Sequence, residues 1–134
     1  MVLNNLLAAA KKAREQAYAP YSEFTVGAAL LTKNGKVFVG CNVENASLGL
    51  TVCAERSAVA AAVVGGEKDF EAIAIVANSK KPALPCGACR QVLAEFSPSM
   101  KIVVGTTTAG KQEQFSLTTL LPLPKQGLFE NRDV

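Results

Sequence analysis

The chain has 134 residues, 49% of them apolar, with 14 basic against 11 acidic side chains and a formal charge of +3. That length suits one domain, residues 1–134, whose core needs no disulfide staples; the weak, scattered charge and 6% aromatics offer no footing for nucleic acid. Histidine is absent, which excludes every imidazole catalyst or ligand; no apolar run can cross a bilayer, and Lys11, Lys12 and Arg14 follow the first apolar segment where a leader would have them precede it, so a cytoplasmic protein with four reduced cysteines is expected.

Leu3, Leu6, Leu7, Ala10, Ala13 and Ala17 fall at helical spacing and predict a first helix over 3–18. Residues 18–22 read as a loop, and Phe24 to Leu31 as a buried strand. Asn34-Gly35 signals a hairpin, returning as a strand over 36–42 with Val37, Val39 and Cys41 on one face. An irregular polar stretch, 43–52, leads to a second helix near 53–64, which Gly65-Gly66 ends. A strand over 72–77, a loop over 78–85 with two prolines and a helix near 86–96 follow. Strands at 102–104 and 111–115 flank a turn at Gly110, and Ser116 is placed to cap a short helix that Pro122 stops. The pattern is α/β: a mixed sheet of about five strands covered by helices.

Three cysteines and one carboxylate concentrate the chemistry. Cys53-Ala54-Glu55 and Pro85-Cys86-Gly87-Ala88-Cys89 both fall at predicted helix starts. The i, i+3 spacing turns Cys86 and Cys89 to one side, and unpaired amides at a helix start favour thiolates. Three sulfurs around one zinc leave a fourth position for water, which is the catalytic count. Glu55, beside that position, could carry protons; its plainer role is an acid that suits a helix N-terminus. Arg56 could donate to the sulfurs and draw off excess negative charge, or simply be solvated. Arg90, next to Cys89, could share that task but reads rather as a surface residue. A closed structural zinc with Cys41 as fourth ligand and a redox Cys86/Cys89 pair are the alternatives, with Cys41 otherwise an inert buried thiol.

A C-x-E segment with a distant P-C-x-x-C is the zinc signature of nucleobase deaminases, which usually have His in the first ligand place. Cys53-Ala54-Glu55-Arg56 and Pro85-Cys86-Gly87-Ala88-Cys89-Arg90-Gln91 resemble the cytidine deaminases of the small, all-cysteine type. Ala19-Pro20-Tyr21-Ser22, Phe24, residues 26–30 and residues 40–47 extend the resemblance over roughly residues 10–121. The resemblance implies a three-layer α/β/α fold, a homotetramer with sites built across subunits, and one zinc per subunit held by Cys53, Cys86 and Cys89. It implies hydrolysis of cytidine and 2′-deoxycytidine to uridine and 2′-deoxyuridine, a pyrimidine salvage step, with Glu55 moving the protons. Asn42 and Glu44 would hold the ribose 3′-hydroxyl, Phe24 would contact the base, and the Ala54 amide would meet the pyrimidine carbonyl. The partner is a small nucleoside, with no nucleic acid or membrane; a carboxylate at Glu44 would repel a phosphate there. Leu48 stands where the family commonly has tyrosine, and Leu123-Pro124-Lys125 departs from its usual C-terminal phenylalanine, for which Phe129 could substitute.

Overall fold

Val26 to Thr32 is buried along its whole length, which a strand achieves only with neighbours on both edges and cover on both faces. It is β1 of a five-stranded sheet ordered β2-β1-β3-β4-β5, in a computed structural model that describes residues 2–108 and 111–125. The strands are β1 (Val26–Thr32), β2 (Val37–Cys41), β3 (Phe70–Ala77), β4 (Lys101–Thr106) and β5 (Gln112–Ser116). The helices are α1 (Val2–Arg14), α2 (Ala54–Val64), α3 (Gly87–Phe96) and α4 (Leu117–Leu120), with a single 3₁₀ turn at Leu48–Leu50. β3 and β4 run parallel, joined through α3; the other neighbouring pairs are antiparallel.

Alternate side chains of the sheet enter two separate cores. Leu30, Ile73, Ile75, Ile102 and Val104 pack with Ala58, Leu93 and Leu117 under α2, α3 and α4. Ala29, Leu31, Ala74, Val76 and Val103 meet Leu6 and Ala10 of α1 on the other face. The layers are α/β/α. Leu30, Ile73 and Leu93 are fully buried, and cutting any of them to alanine removes about 2–5 kcal/mol.

Two glycines set how closely helices approach. A Cβ at Gly40 would stand 2.4 Å from the Ala58 nitrogen and 2.7 Å from the Ala54 carbonyl oxygen, so α2 lies backbone-to-backbone on β2. A Cβ at Gly27 would stand 2.0 Å from the Ala10 carbonyl oxygen, so α1 does the same on β1 from the opposite face.

The structure moves several expected boundaries. The first helix stops at Arg14 instead of 18, because Glu15 and Gln16 close tight turns onto Lys12 and Ala13, and Tyr18 bridges to the chain at Val43. The strand expected from Phe24 begins at Val26, since the amides of Phe24 and Thr25 are held by side chains. Val37 and Val39 share a face with Cys41, but that face lies on an edge strand beyond the cover of α1, leaving both valines about half exposed. Cys41 is accordingly half-buried rather than a core thiol. Ser116 precedes α4 but makes no capping bond, its hydroxyl pairing with Thr118 at 2.7 Å. Gly66 takes the left-handed conformation, φ +86°, that ends α2. Gly110 and Phe129 lie outside the described residues.

Candidate active site

Two helix starts converge where β3 ends and β1 begins. Cys53 is the N-cap of α2 and Cys86 the N-cap of α3, both in extended backbone and neither spending its side chain on a capping bond. Their sulfurs are thus free for another partner. Cys89, one turn into α3, is buried beneath them. The three Sγ atoms lie within 4.8 Å of one another, with Cys86 and Cys89 3.5 Å apart. Tetrahedral sulfurs about 2.3 Å from zinc stand roughly 3.8 Å from each other, so the trio fits that ion. Cys41 is outside the cluster, which argues against a closed four-sulfur site.

Charge is already arranged for a metal. The neighbouring Cys89 thiol, with help from the Arg56 guanidinium, draws Cys53 down to about 5. Cys89 is pushed up by its neighbour Cys53 and by its burial. Arg56 Nη2 donates to Cys53 Sγ at 3.3 Å and to the Thr51 carbonyl at 3.4 Å.

Glu55 sits in the first turn of α2, only 6% exposed. Burial raises its carboxyl above the ordinary range. Ala54, the first residue of α2, is fully buried, placing its amide at the mouth of the helix.

The cluster opens into a cavity of about 330 Å³. Cys53, Ala54, Glu55 and Cys86 form one wall; Phe24, Asn42 and Glu44 contribute to the other. Asn42 is buried and already engaged, its Oδ1 accepting from the Val26 amide at 2.9 Å and its Nδ2 donating to the Phe24 carbonyl at 2.7 Å. Glu44 Oε1 accepts from the amides of Tyr21 and Ser22 at 3.0 and 3.1 Å, and Oε2 accepts from the Ser22 hydroxyl. Those bonds, the hydroxyl's foremost, hold the Glu44 carboxyl below its usual range. Leu84 closes the rim, and Leu48 stands 73% exposed.

Sequence reasoning gave Ser22 and Asn78 no role of their own and read Arg90 as a surface residue. Asn78 reaches the backbone of Glu23 and Thr25, and Ser22 the carboxylate of Glu44, partners that no local pattern gives. Arg90 is not a surface residue: Nε donates to the Pro85 carbonyl at 2.8 Å and Nη1 to the Leu120 carbonyl at 3.0 Å. Gln91 beside it donates to the Lys125 carbonyl and accepts from the Lys125 amide, both at 3.2 Å. Helix α3 thereby carries two thiols on one side and grips the chain near its end on the other.

Comparisons with known proteins agree with this geometry. Residues 2–106 match the family model described as "Cytidine and deoxycytidylate deaminase zinc-binding region". A cytidine deaminase of Sporosarcina psychrophila is 47% identical over 134 residues, covering 100% of this chain and 96% of its own. Another, of Halalkalibacterium halodurans, is 51% identical over 117 residues, 87% of this chain and 89% of its own. The crystal structure of cytidine deaminase from Burkholderia pseudomallei superposes with a TM-score of 0.88 at 50% identity, covering 93% of this chain and all of that one.

Proposed function

The chain belongs to the cytidine and deoxycytidylate deaminase family, and from that premise we propose that it hydrolyses cytidine and 2′-deoxycytidine to uridine and 2′-deoxyuridine, releasing ammonia. The observation that carries the reading is the trio of sulfurs and the buried Glu55 facing one cavity with Phe24 and Glu44 across from them. The zinc expected of the family's zinc-binding region would be held by Cys53, Cys86 and Cys89.

When bound, zinc supplies the Lewis acidity that makes water nucleophilic near neutral pH. Glu55 takes one proton from the attacking water and delivers it to ring N3; it then takes the second from the new C4 hydroxyl and gives it to the departing 4-amino group, so that ammonia leaves as the C4 carbonyl forms. A carboxyl raised by burial suits that shuttle, because it can hold and release a proton nearer neutral pH. The Ala54 amide donates to the pyrimidine carbonyl, as an unpaired helix-start amide can. Phe24 packs on the base. Glu44 accepts from the ribose 3′-hydroxyl, and the second N–H of Asn42 Nδ2 can donate there. Arg56 steadies the Cys53 thiolate.

The working unit is a single 1–134 domain assembled as a homotetramer in the cytoplasm. Exposed Leu48, Leu50 and Leu84, the last at the cavity rim, are apolar surface of the kind an assembly covers. No helix among the described residues is long and apolar enough to cross a membrane. Two measurements test the proposal. Purified protein should consume cytidine, followed by ultraviolet absorbance beside cytosine, CMP and adenosine, and light scattering should give four subunits. Failure to consume cytidine would end the proposal for its substrate.

A further inference from the structure

The cavity wall opposite the helix starts has no regular structure before Val26, yet its amides are all engaged. Six consecutive amides, Tyr21 to Val26, each find an acceptor. Only the Glu23 amide uses a backbone carbonyl, that of Ala19 at 3.0 Å. The other five are taken by side chains. Glu44 takes two; Ser22 Oγ accepts from the Phe24 amide at 2.9 Å, Asn78 Oδ1 from the Thr25 amide at 3.2 Å, and Asn42 from that of Val26. Asn78 Nδ2 also donates to the Glu23 carbonyl at 3.0 Å. Between these anchors Glu23 is held at φ +58°, a conformation that non-glycine residues seldom adopt without outside support.

Resting on the nucleoside function above, we propose that Ser22 and Asn78 are positioning residues for substrate affinity, holding the 21–25 elbow so that the Phe24 ring and the Glu44 carboxylate face the same nucleoside. The Ser22 hydroxyl is the link between the two, donating to Glu44 and accepting from the Phe24 amide. Asn78 fixes the peptide units on both sides of Phe24 through Glu23 and Thr25. The ladder of β1 begins only at Val26, and Ser22 and Asn78 are exposed, so releasing the elbow leaves the core and the sulfurs in place. Affinity moves while the chemical step does not, which is the signature of binding shared by ground and transition states.

Ser22→Ala, Ser22→Thr and Asn78→Asp in the full-length protein test this. Ser22→Ala should raise KM for cytidine and Kd for uridine about tenfold, with kcat, zinc content and melting midpoint unchanged. In carbon-13 titrations of the carboxyls, Glu44 should move up toward its ordinary range. Ser22→Thr keeps the hydroxyl and should restore both. Asn78→Asp loses the donor to Glu23 and should raise KM and Kd in the same direction. Parent-like KM and Kd in Ser22→Ala and Asn78→Asp would overturn the proposal, as would a Glu44 titration unmoved in Ser22→Ala. If the parent itself leaves cytidine untouched, the nucleoside function fails separately, and the Glu44 titration still decides the positioning role.

Discussion

The two walls of the cavity are built by opposite means. On one side α2 and α3 present Cys53, Glu55, Cys86 and Cys89 from helix starts, with α2 lying directly on the sheet at Gly40. On the other, residues 21–25 form an irregular loop leading into β1, held by side chains from distant parts of the chain. Regular structure places atoms that must act together, so its loss is all-or-none. The loop holds its geometry by several separable hydrogen bonds, each worth little alone. Chemistry is assigned to the first wall and recognition to the second, and graded losses should appear only at the second.

The sharpest way to break the comparison is to take away the metal. Dialysis against a chelator should abolish turnover, and added Zn²⁺ should restore it; full turnover in protein that elemental analysis finds free of zinc would remove the helix-start wall from the chemistry. Next is Glu55→Gln, which should lower kcat by about 10²–10⁴ while zinc content stays unchanged. Gly40→Ala probes how that wall is held. The added methyl meets the α2 backbone and should cost at least about 1–3 kcal/mol in urea unfolding, with weaker zinc retention. On the loop side, Glu44→Gln should raise KM for cytidine about 10–100-fold and leave kcat nearly intact. A kcat loss matching that of Glu55→Gln would erase the division of labour.

The mildest effect concerns pH. Ser22 and its neighbouring amides hold the Glu44 carboxyl below the ordinary range, so the folded loop prefers the ionised form. Its contribution is complete above the unfolded carboxyl pKa of about 4.3 and is lost as pH falls through the lower folded value. Uridine affinity should therefore hold steady down to about pH 4.3 and weaken only below it, as calorimetry would show. Weakening that begins higher in Glu55→Gln protein, where the raised Glu55 carboxyl no longer titrates, would mean Glu44 is not held in its charged form.

What the sequence disclosed follows the same division. Cys86 and Cys89 could be paired from spacing, because a helix turns i, i+3 into proximity, and Pro85 and Gly65-Gly66 mark helix ends; that Cys53 and Glu55 join them was carried by the resemblance to zinc deaminases. The strand order required pairings between distant segments, yet the alternation of helices and strands sufficed for the layers. The loop was another matter. Phe24 reads as strand by composition, and only Asn78, 53 residues away from Thr25, and Ser22 explain why it is not. Val37, Val39 and Cys41 alternate correctly, but a period of two cannot say which face a helix will cover. Arg90 looked like any charged residue on a helix because one of its acceptors, the Leu120 carbonyl 30 residues away, is brought near only by the tertiary fold.

The hold of Arg90 and Gln91 on Leu120 and Lys125 makes the far end of the chain a remote witness to the ion. Disturbing the thiol end of α3 loosens the same rod that secures those carbonyls. Deuterium uptake at the Lys125 amide should therefore quicken when zinc is withdrawn, letting a label far along the chain report occupancy without any substrate present.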